Sequence, residues 1–260
     1  MDFSLHVFPD APSVARAAAE RVVVLTQESI ARRGLFSIAL AGGSTPRALY
    51  ELLAQEPFRD RMEWNKTHIF WGDERAVAPD DERSNIRMAR MALLDHVPIP
   101  TQNIHLPQGD ASDLDSAARD YEAQLQGLRG GMSTHAEEES ASRLDLVVLG
   151  MGDDGHTASL FPGTPGLRET ERLILAVDVA PMQPRVARLT LSFRAINEAR
   201  HVLVLVTGEA KAELLANVLE NVREDKTDVE KWPIQGVNPQ PGELAWMLDE
   251  AAARLMPRND

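Results

Sequence analysis

The sequence predicts an α/β fold of three layers: a mostly parallel sheet with helices on both faces, Rossmann-like, in a single domain over residues 1–260. Three observations carry this prediction. Short apolar, β-branched runs recur along the chain, segments of helical periodicity separate them, and the runs are continuously apolar rather than alternating. A strand covered on both faces has no solvent side to make polar, and strand alternating with helix implies parallel pairing.

In chain order, "LHVF" at 5–8 reads as the first strand. "APSVARAAAERVVVLTQESIARRG" follows as a long helix closed by Gly34, where a left-handed residue is needed. "FSIALAG" at 36–42 is the next strand and "TPRALYELLAQ" a shorter helix. "THIFWGDE" at 67–74 is a strand, and "SNIRMARMALLDHV" a helix capped by Ser84. Glycine, serine and acidic residues without apolar period mark 127–143 as a flexible surface loop within the domain. "LDLVVLG" at 144–150 and "HVLVLVTG" at 201–208 are further buried strands. Between them "RLILAVDV" and "RVARLTLS" lie close enough together to suggest an antiparallel addition at one side, making the sheet mixed. "GEAKAELLANVLENV" and the C-terminal "GELAWMLDEAAARLM" both read as helices.

Composition narrows the function. Forty Asp and Glu against 27 Lys and Arg give a formal charge of -13 with no basic tract, which disfavours nucleic acid and anionic membrane as partners. A small anionic substrate remains compatible if a few cations are focused locally. The absence of cysteine excludes disulfides, thiolate nucleophiles and cysteine zinc sites. The opening "MDFSLHVFPD" has no basic stretch before an apolar core, and nowhere do 18 apolar residues run together, so a cytoplasmic protein is expected. The sequence does not fix the oligomeric state, and a monomer is only the favoured default.

Three polar clusters follow three of the strands, at the sheet end where ligands of parallel α/β proteins collect. In "AGGSTPR" (41–47), Gly42 and Gly43 let the backbone approach a ligand, Ser44 or Thr45 is positioned to cap, and Pro46 suits a first helical turn. Such a helix start favours an anion, although a capped strand-to-helix turn alone would look the same. The cluster matches neither the Walker nor the dinucleotide pattern, so phosphate rather than nucleotide is the expected ligand. In "WGDER", Asp73 and Arg75 are two apart and project to one side of an extended backbone. They could hold substrate, or simply pair with each other. In "GMGDDGH" (150–156), Gly150, Gly152 and Gly155 permit a tight path, and Asp154 lies two residues before His156, close enough to orient its ring. Histidine exchanges protons near neutrality and so can act as a general base. No metal-ligand spacing and no Gly-x-Ser-x-Gly elbow occurs, so neither a metal, a cofactor nor a serine nucleophile is expected.

Taken together, "LAGGSTPRALYELL", "FWGDERAVAPDDERSNIRMA" and "LDLVVLGMGDDGHTASLFPGTP" resemble the 6-phosphogluconolactonase family in order and spacing, and "RVARLTLSFRAINEA" with "VTGEAKAELL" extends the likeness over roughly residues 8–250. The resemblance implies hydrolysis of 6-phospho-D-glucono-1,5-lactone to 6-phospho-D-gluconate without metal or nucleotide. It also implies a fold akin to glucosamine-6-phosphate deaminase and ribose-5-phosphate isomerase. By the same resemblance His156 is the base, Asp154 its orienting partner and Arg75 a hydroxyl or oxyanion ligand. The amides of residues 42–45, with Arg188 and Lys211 as cations, are assigned to the phosphate, Asp73 lies in the same binding set, and Arg47 points away along its helix. "KWPIQGVNP" departs from the family's usual ending here, with Trp232 and Gln235 in the segment expected to cover the substrate. An amino-sugar phosphate deaminase would carry a glutamate five residues after the motif histidine; this chain has Phe161. A non-catalytic sugar-phosphate sensor would not need the Asp154–His156 pair.

Overall fold

A computed structural model describes residues 3–128, 143–178 and 180–256. Most of the segment expected to form a flexible loop, 127–143, lies outside the described residues.

Strand β1 (Ser4–Phe8) leads into helix α1 (Ala11–Arg33), which the Asp10 side chain caps by accepting from the Ser13 amide at 2.8 Å. Gly34, at φ 81°, ends the helix and donates its amide to the Ile30 carbonyl. Next come β2 (Phe36–Leu40), α2 (Ser44–Leu53), the single turn α3 (Phe58–Arg61) and β3 (Thr67–Trp71). The chain continues through β4 (Asp73–Arg75), α4 (Asn85–Ala92), α5 (Leu114–Gly127), β5 (Leu146–Leu149), β6 (Ile174–Val177) and β7 (Arg188–Leu191). It closes with α6 (Phe193–Asn197), β8 (His201–Val206), α7 (Ala212–Arg223), β9 (Glu243–Asp249) and α8 (Glu250–Ala253).

Six strands form one sheet in the order β1-β9-β8-β5-β2-β3, every neighbouring pair parallel. Successive side chains of a strand point to opposite faces, which divides the core in two. Phe36, Ile38 and Leu40 of β2, Leu146 and Val148 of β5, and Leu203 and Leu205 of β8 pack beneath α1, α2 and α4. Ala39, Val147, Leu149, Val202, Val204 and Val206 face α5, α6 and α7. The three-layer arrangement is therefore the expected one, and the continuous apolar runs are its cause.

Two expectations need correction. The sheet is not mixed: β7 pairs antiparallel with both β6 and β4 in a separate three-stranded sheet, β4-β7-β6. The run "THIFWGDE" therefore breaks at Gly72, which joins the two sheets by donating its amide to Leu40 and accepting from Leu191, each at 2.8 Å. The expected C-terminal helix is instead β9, filling the slot between β1 and β8, with only the single turn α8 after it. Leu244, Trp246 and Leu248 enter one core and Met247 the other, a period of two that tertiary pairing imposes on residues of no strong strand preference.

The order also fixes where a ligand would sit. From β2 the chain steps outward to β3, then returns to β5 on the other side of β2 and proceeds through β8 and β9 in the opposite direction. The loops leaving β2 and β5 thus flank the point of reversal, where α/β sheets open a crevice.

Candidate active site

Residues 41–43 leave β2 and enter α2, whose N-cap is Gly43 at φ 102° with no capping side chain. Ser44 and Thr45 do not cap: Ser44 is exposed and Thr45 shares a 2.7 Å hydrogen bond with the Thr207 hydroxyl. The first amides of α2 are consequently not taken by a cap, which suits an external acceptor. The loop is held from below by Tyr50, whose hydroxyl accepts from the Ala41 amide at 2.8 Å and donates to its carbonyl at 3.0 Å. Arg47 turns outward to Glu51 at 2.8 Å, as expected.

After Gly72 the chain swings Asp73 and Arg75 over the same crevice. They do not pair with each other. Asp73 is buried, accepts from Ser159 Oγ at 2.6 Å and Asn85 Nδ2 at 3.0 Å, and lies 3.6 Å from the Arg188 guanidinium. It thus anchors several loops to one another while also lining the crevice. Glu74 points the other way and accepts from the amides of Arg75, Asn85 and Ile86 and from Ser84 Oγ, fastening β4 to the start of α4. Burial pushes the Glu74 carboxyl above its ordinary range despite those donors.

Arg75 and Arg188 are cross-strand partners in the antiparallel pair β4–β7. Like charges directly opposite each other are unfavourable. Burial, and to a lesser degree the neighbouring Arg75, push the Arg188 guanidinium down, with Asp73 opposing. The Arg75 and Arg188 Nε atoms are both buried without a partner among the described residues. Two adjacent guanidiniums with donor capacity to spare form a cradle that an anion would complete.

The loop after β5 brings the histidine. His156 Nδ1 lies 2.5 Å from Asp154 Oδ1, and the His156 amide donates to the same oxygen at 3.1 Å. Burial opposes ionisation of Asp154, yet the ring and amide bonds hold its carboxyl below the ordinary value. With Asp154 ionised, Nδ1 carries the proton and Nε2 keeps its lone pair, which no described residue engages. The ring packs against buried Phe161 at 4.8 Å between centroids and occupies the space a side chain at residue 152 would need: a Cβ there would fall 2.0 Å from Nδ1. Gly155 is excluded from substitution by the Trp232 side chain, which a Cβ would approach to 2.9 Å. Thus Trp232 packs against the histidine loop, and buried Gln235 bridges the Asp228 amide to the Val218 carbonyl; neither is among the residues that line the crevice.

The three loops line one cavity of about 200 Å³ containing Gly42, Gly43, Asp73, Arg75, His156 and Arg188. Lys211 is not among its lining residues, and its ammonium is engaged by Asp153. The sequence reading overlooked Tyr50, Asn85 and Ser159. Asn85 stood inside a motif already singled out and Ser159 three residues beyond His156, whereas nothing local distinguishes Tyr50 from an ordinary core aromatic.

This geometry agrees with what the chain resembles. A family model described as glucosamine-6-phosphate isomerases/6-phosphogluconolactonase matches residues 9–246, and the chain belongs to that family. Among relatives, the 6-phosphogluconolactonase of a Synechocystis species is 44% identical over 86% of each chain, and that of a Nostoc species 40% identical over 97% of this chain and 98% of its own. The structure of 6-phosphogluconolactonase from Trypanosoma cruzi superimposes with a TM-score of 0.81 at 30% identity, covering 99% of this chain and 98% of that one. A monomeric glucosamine-6-phosphate deaminase, 20% identical with a TM-score of 0.79 over 97% of this chain and all of its own, shares the fold.

Proposed function

We propose that the chain hydrolyses 6-phospho-D-glucono-1,5-lactone to 6-phospho-D-gluconate, as in the oxidative pentose phosphate pathway. The observation that carries this reading is the placement of His156, Arg75 and Arg188 around one small cavity beside the open start of α2. Relatives that carry the name 6-phosphogluconolactonase at 38–44% identity support the same activity.

Nε2 of His156 accepts a proton from water as the water oxygen bonds to C1 of the lactone. Asp154 holds the ring in the tautomer that leaves Nε2 free and stabilises the imidazolium that forms. Negative charge on the former carbonyl oxygen is met by a guanidinium, Arg75 in this assignment; loss of such a donor typically costs about 2.7–4 kcal/mol of barrier. When the tetrahedral species collapses, the bond between C1 and the ring oxygen breaks and the imidazolium returns its proton to that oxygen. The amides of residues 42–45 together with Arg188 take the phosphate, with Lys211 as the further cation assigned to it. No covalent intermediate is needed, because a lactone carbonyl is already open to water.

Five residues after His156 stands Phe161, fully buried with its ring on the histidine, so the position that would serve a proton-shuttling isomerase holds no carboxylate. This favours hydrolysis over deamination. The test generates the lactone in place with glucose-6-phosphate dehydrogenase and follows acid release: the protein accelerates it well above the spontaneous rate. Release at the spontaneous rate would reject the reading.

A further inference from the structure

Phe161 is fully buried, yet among the described residues it joins neither of the two apolar clusters that fill the space on either side of the sheet. Its backbone is tied into a turn, where its carbonyl accepts from the Thr164 hydroxyl at 2.8 Å and the Thr164 amide at 3.2 Å. Its ring lies against two polar side chains of the crevice. The His156 ring stands 4.8 Å away between centroids, tilted by 47°, and the guanidinium carbon of Arg188 lies over the ring, 5.6 Å from its centre.

Hydrogen bonds define the place of His156 only in part. Asp154 engages Nδ1 and so fixes the tautomer, but one bond at one ring atom leaves the tilt of the imidazole to its packing. That packing comes from the backbone of Gly152, which leaves room for the ring, and from Phe161. The direction in which Nε2 points into the cavity therefore depends on where the Phe161 ring stands.

Arg188 is in a similar position. One terminal nitrogen donates to the Pro184 carbonyl at 3.1 Å and the other lies 3.6 Å from Asp73, while Nε is buried without a partner. A guanidinium is attracted to an aromatic face within about 6 Å and stacks on it as a plane, which orients the fork where hydrogen bonds are few. The same ring thus touches the base and the cation that the proposed reaction uses.

We propose that Phe161 is a positioning residue for this reaction: its ring sets how far apart, and at what angle, the proton-accepting imidazole and the phosphate-binding guanidinium stand. The proposal rests on the assignment of those two roles to His156 and Arg188. The carbonyl carbon and the phosphate of the substrate belong to one small molecule, so both protein groups must meet it at once, and a displacement of about 1 Å at the reacting centre can cost about a hundredfold in rate. A rigid planar side chain with two torsions fixes its neighbours at little cost in conformational entropy.

The test introduces Phe161→Leu into the wild type, into His156→Ala and into Arg188→Gln, and reads kcat for the lactone and, by calorimetry, the affinity for 6-phosphogluconate. In the wild type kcat should fall by about tenfold to a hundredfold. Affinity should weaken by about twofold to tenfold, the cost of ordering one long side chain on binding. The affinity loss should persist in His156→Ala, where Arg188 is untouched. It should vanish in Arg188→Gln while the loss in kcat remains, a split that general loosening of the fold would not produce. Should Phe161→Leu fail to melt cooperatively, Phe161→Met takes its place, keeping the bulk and losing the plane. Unchanged kcat and affinity, or an affinity loss of the same size in all three backgrounds, would overturn the proposal. A wild type that leaves the lactone at its spontaneous rate would instead reject the catalytic reading itself.

Discussion

At the scale of single residues, the proposed reaction rests on the Asp154–His156 pair, in which the carboxylate would make the loop histidine a base by fixing which nitrogen carries the proton. His156→Ala should lower kcat by about 10²–10⁴-fold, the usual contribution of a positioned base, with phosphate affinity nearly unchanged in a binding titration. Asp154→Asn should cost less and should alter the pH–rate profile, since an amide can present its donor to Nδ1 and reverse the tautomer; an unaltered profile would argue against the orienting role. The pair also has a stability signature. Asp154 titrates below its ordinary 3.8 in the folded chain, so its contribution is complete above that value and disappears as pH falls through the lower folded one. These residues were legible in sequence because their chemistry is local: two side chains two positions apart at the end of an apolar run. The anchoring contacts of Asp73 were not legible, for the converse reason. Its partners Ser159 and Arg188 are distant in sequence, and nothing short of the fold shows that its carboxylate is already occupied.

At the scale of elements, the strand ends are held by tyrosines. The chain has two, and each buries a hydroxyl against a backbone amide near a strand end: Tyr50 on Ala41 at 2.8 Å, Tyr121 on Trp71 at 2.7 Å. Tyr50→Phe would leave the Ala41 amide buried without its acceptor, at a cost of about 1–3 kcal/mol, and would loosen the glycine turn. Denaturant unfolding should show the loss, and KM should rise more than kcat falls. At the sheet's β3 edge, His105 stacks on Phe70 at 4.2 Å and lies 3.0 Å from His68. Burial, with His68 adding to it, pushes His105 down to about 4, and burial lowers His68 as well. Both imidazoles are neutral in the fold and bind protons more readily when unfolded. Stability should therefore fall as pH drops from the ordinary 6.5 toward about 4, and His105→Phe should flatten the melting temperature across that window. A slope unchanged by the substitution would show that other groups govern it. Element identity was readable wherever period and cap agreed, as in α1 with its closing Gly34. It failed for β9, whose apolar residues satisfy helix and strand alike until β1 and β8 leave a vacant position between them, and at Gly72, where one apolar run serves two sheets.

At the scale of the whole molecule, the sheet order does the assembling. Reversal between β2 and β5 sets the glycine turn beside the histidine loop, and the small antiparallel sheet reaches over to add two arginines. Parallel layering followed from the apolar runs, but the second sheet and the Lys211–Asp153 contact depend on pairings that only the folded chain specifies. Among the described residues no helix is long and apolar enough to cross a membrane. A crystal structure of the chain with 6-phosphogluconate bound tests the central claim most directly. The product carboxylate should lie about 3 Å from His156 Nε2, with the phosphate against the first amides of α2 and the guanidinium of Arg188. Product bound away from this cavity, or within it with Nε2 turned toward solvent and no sugar atom in reach, would contradict the account.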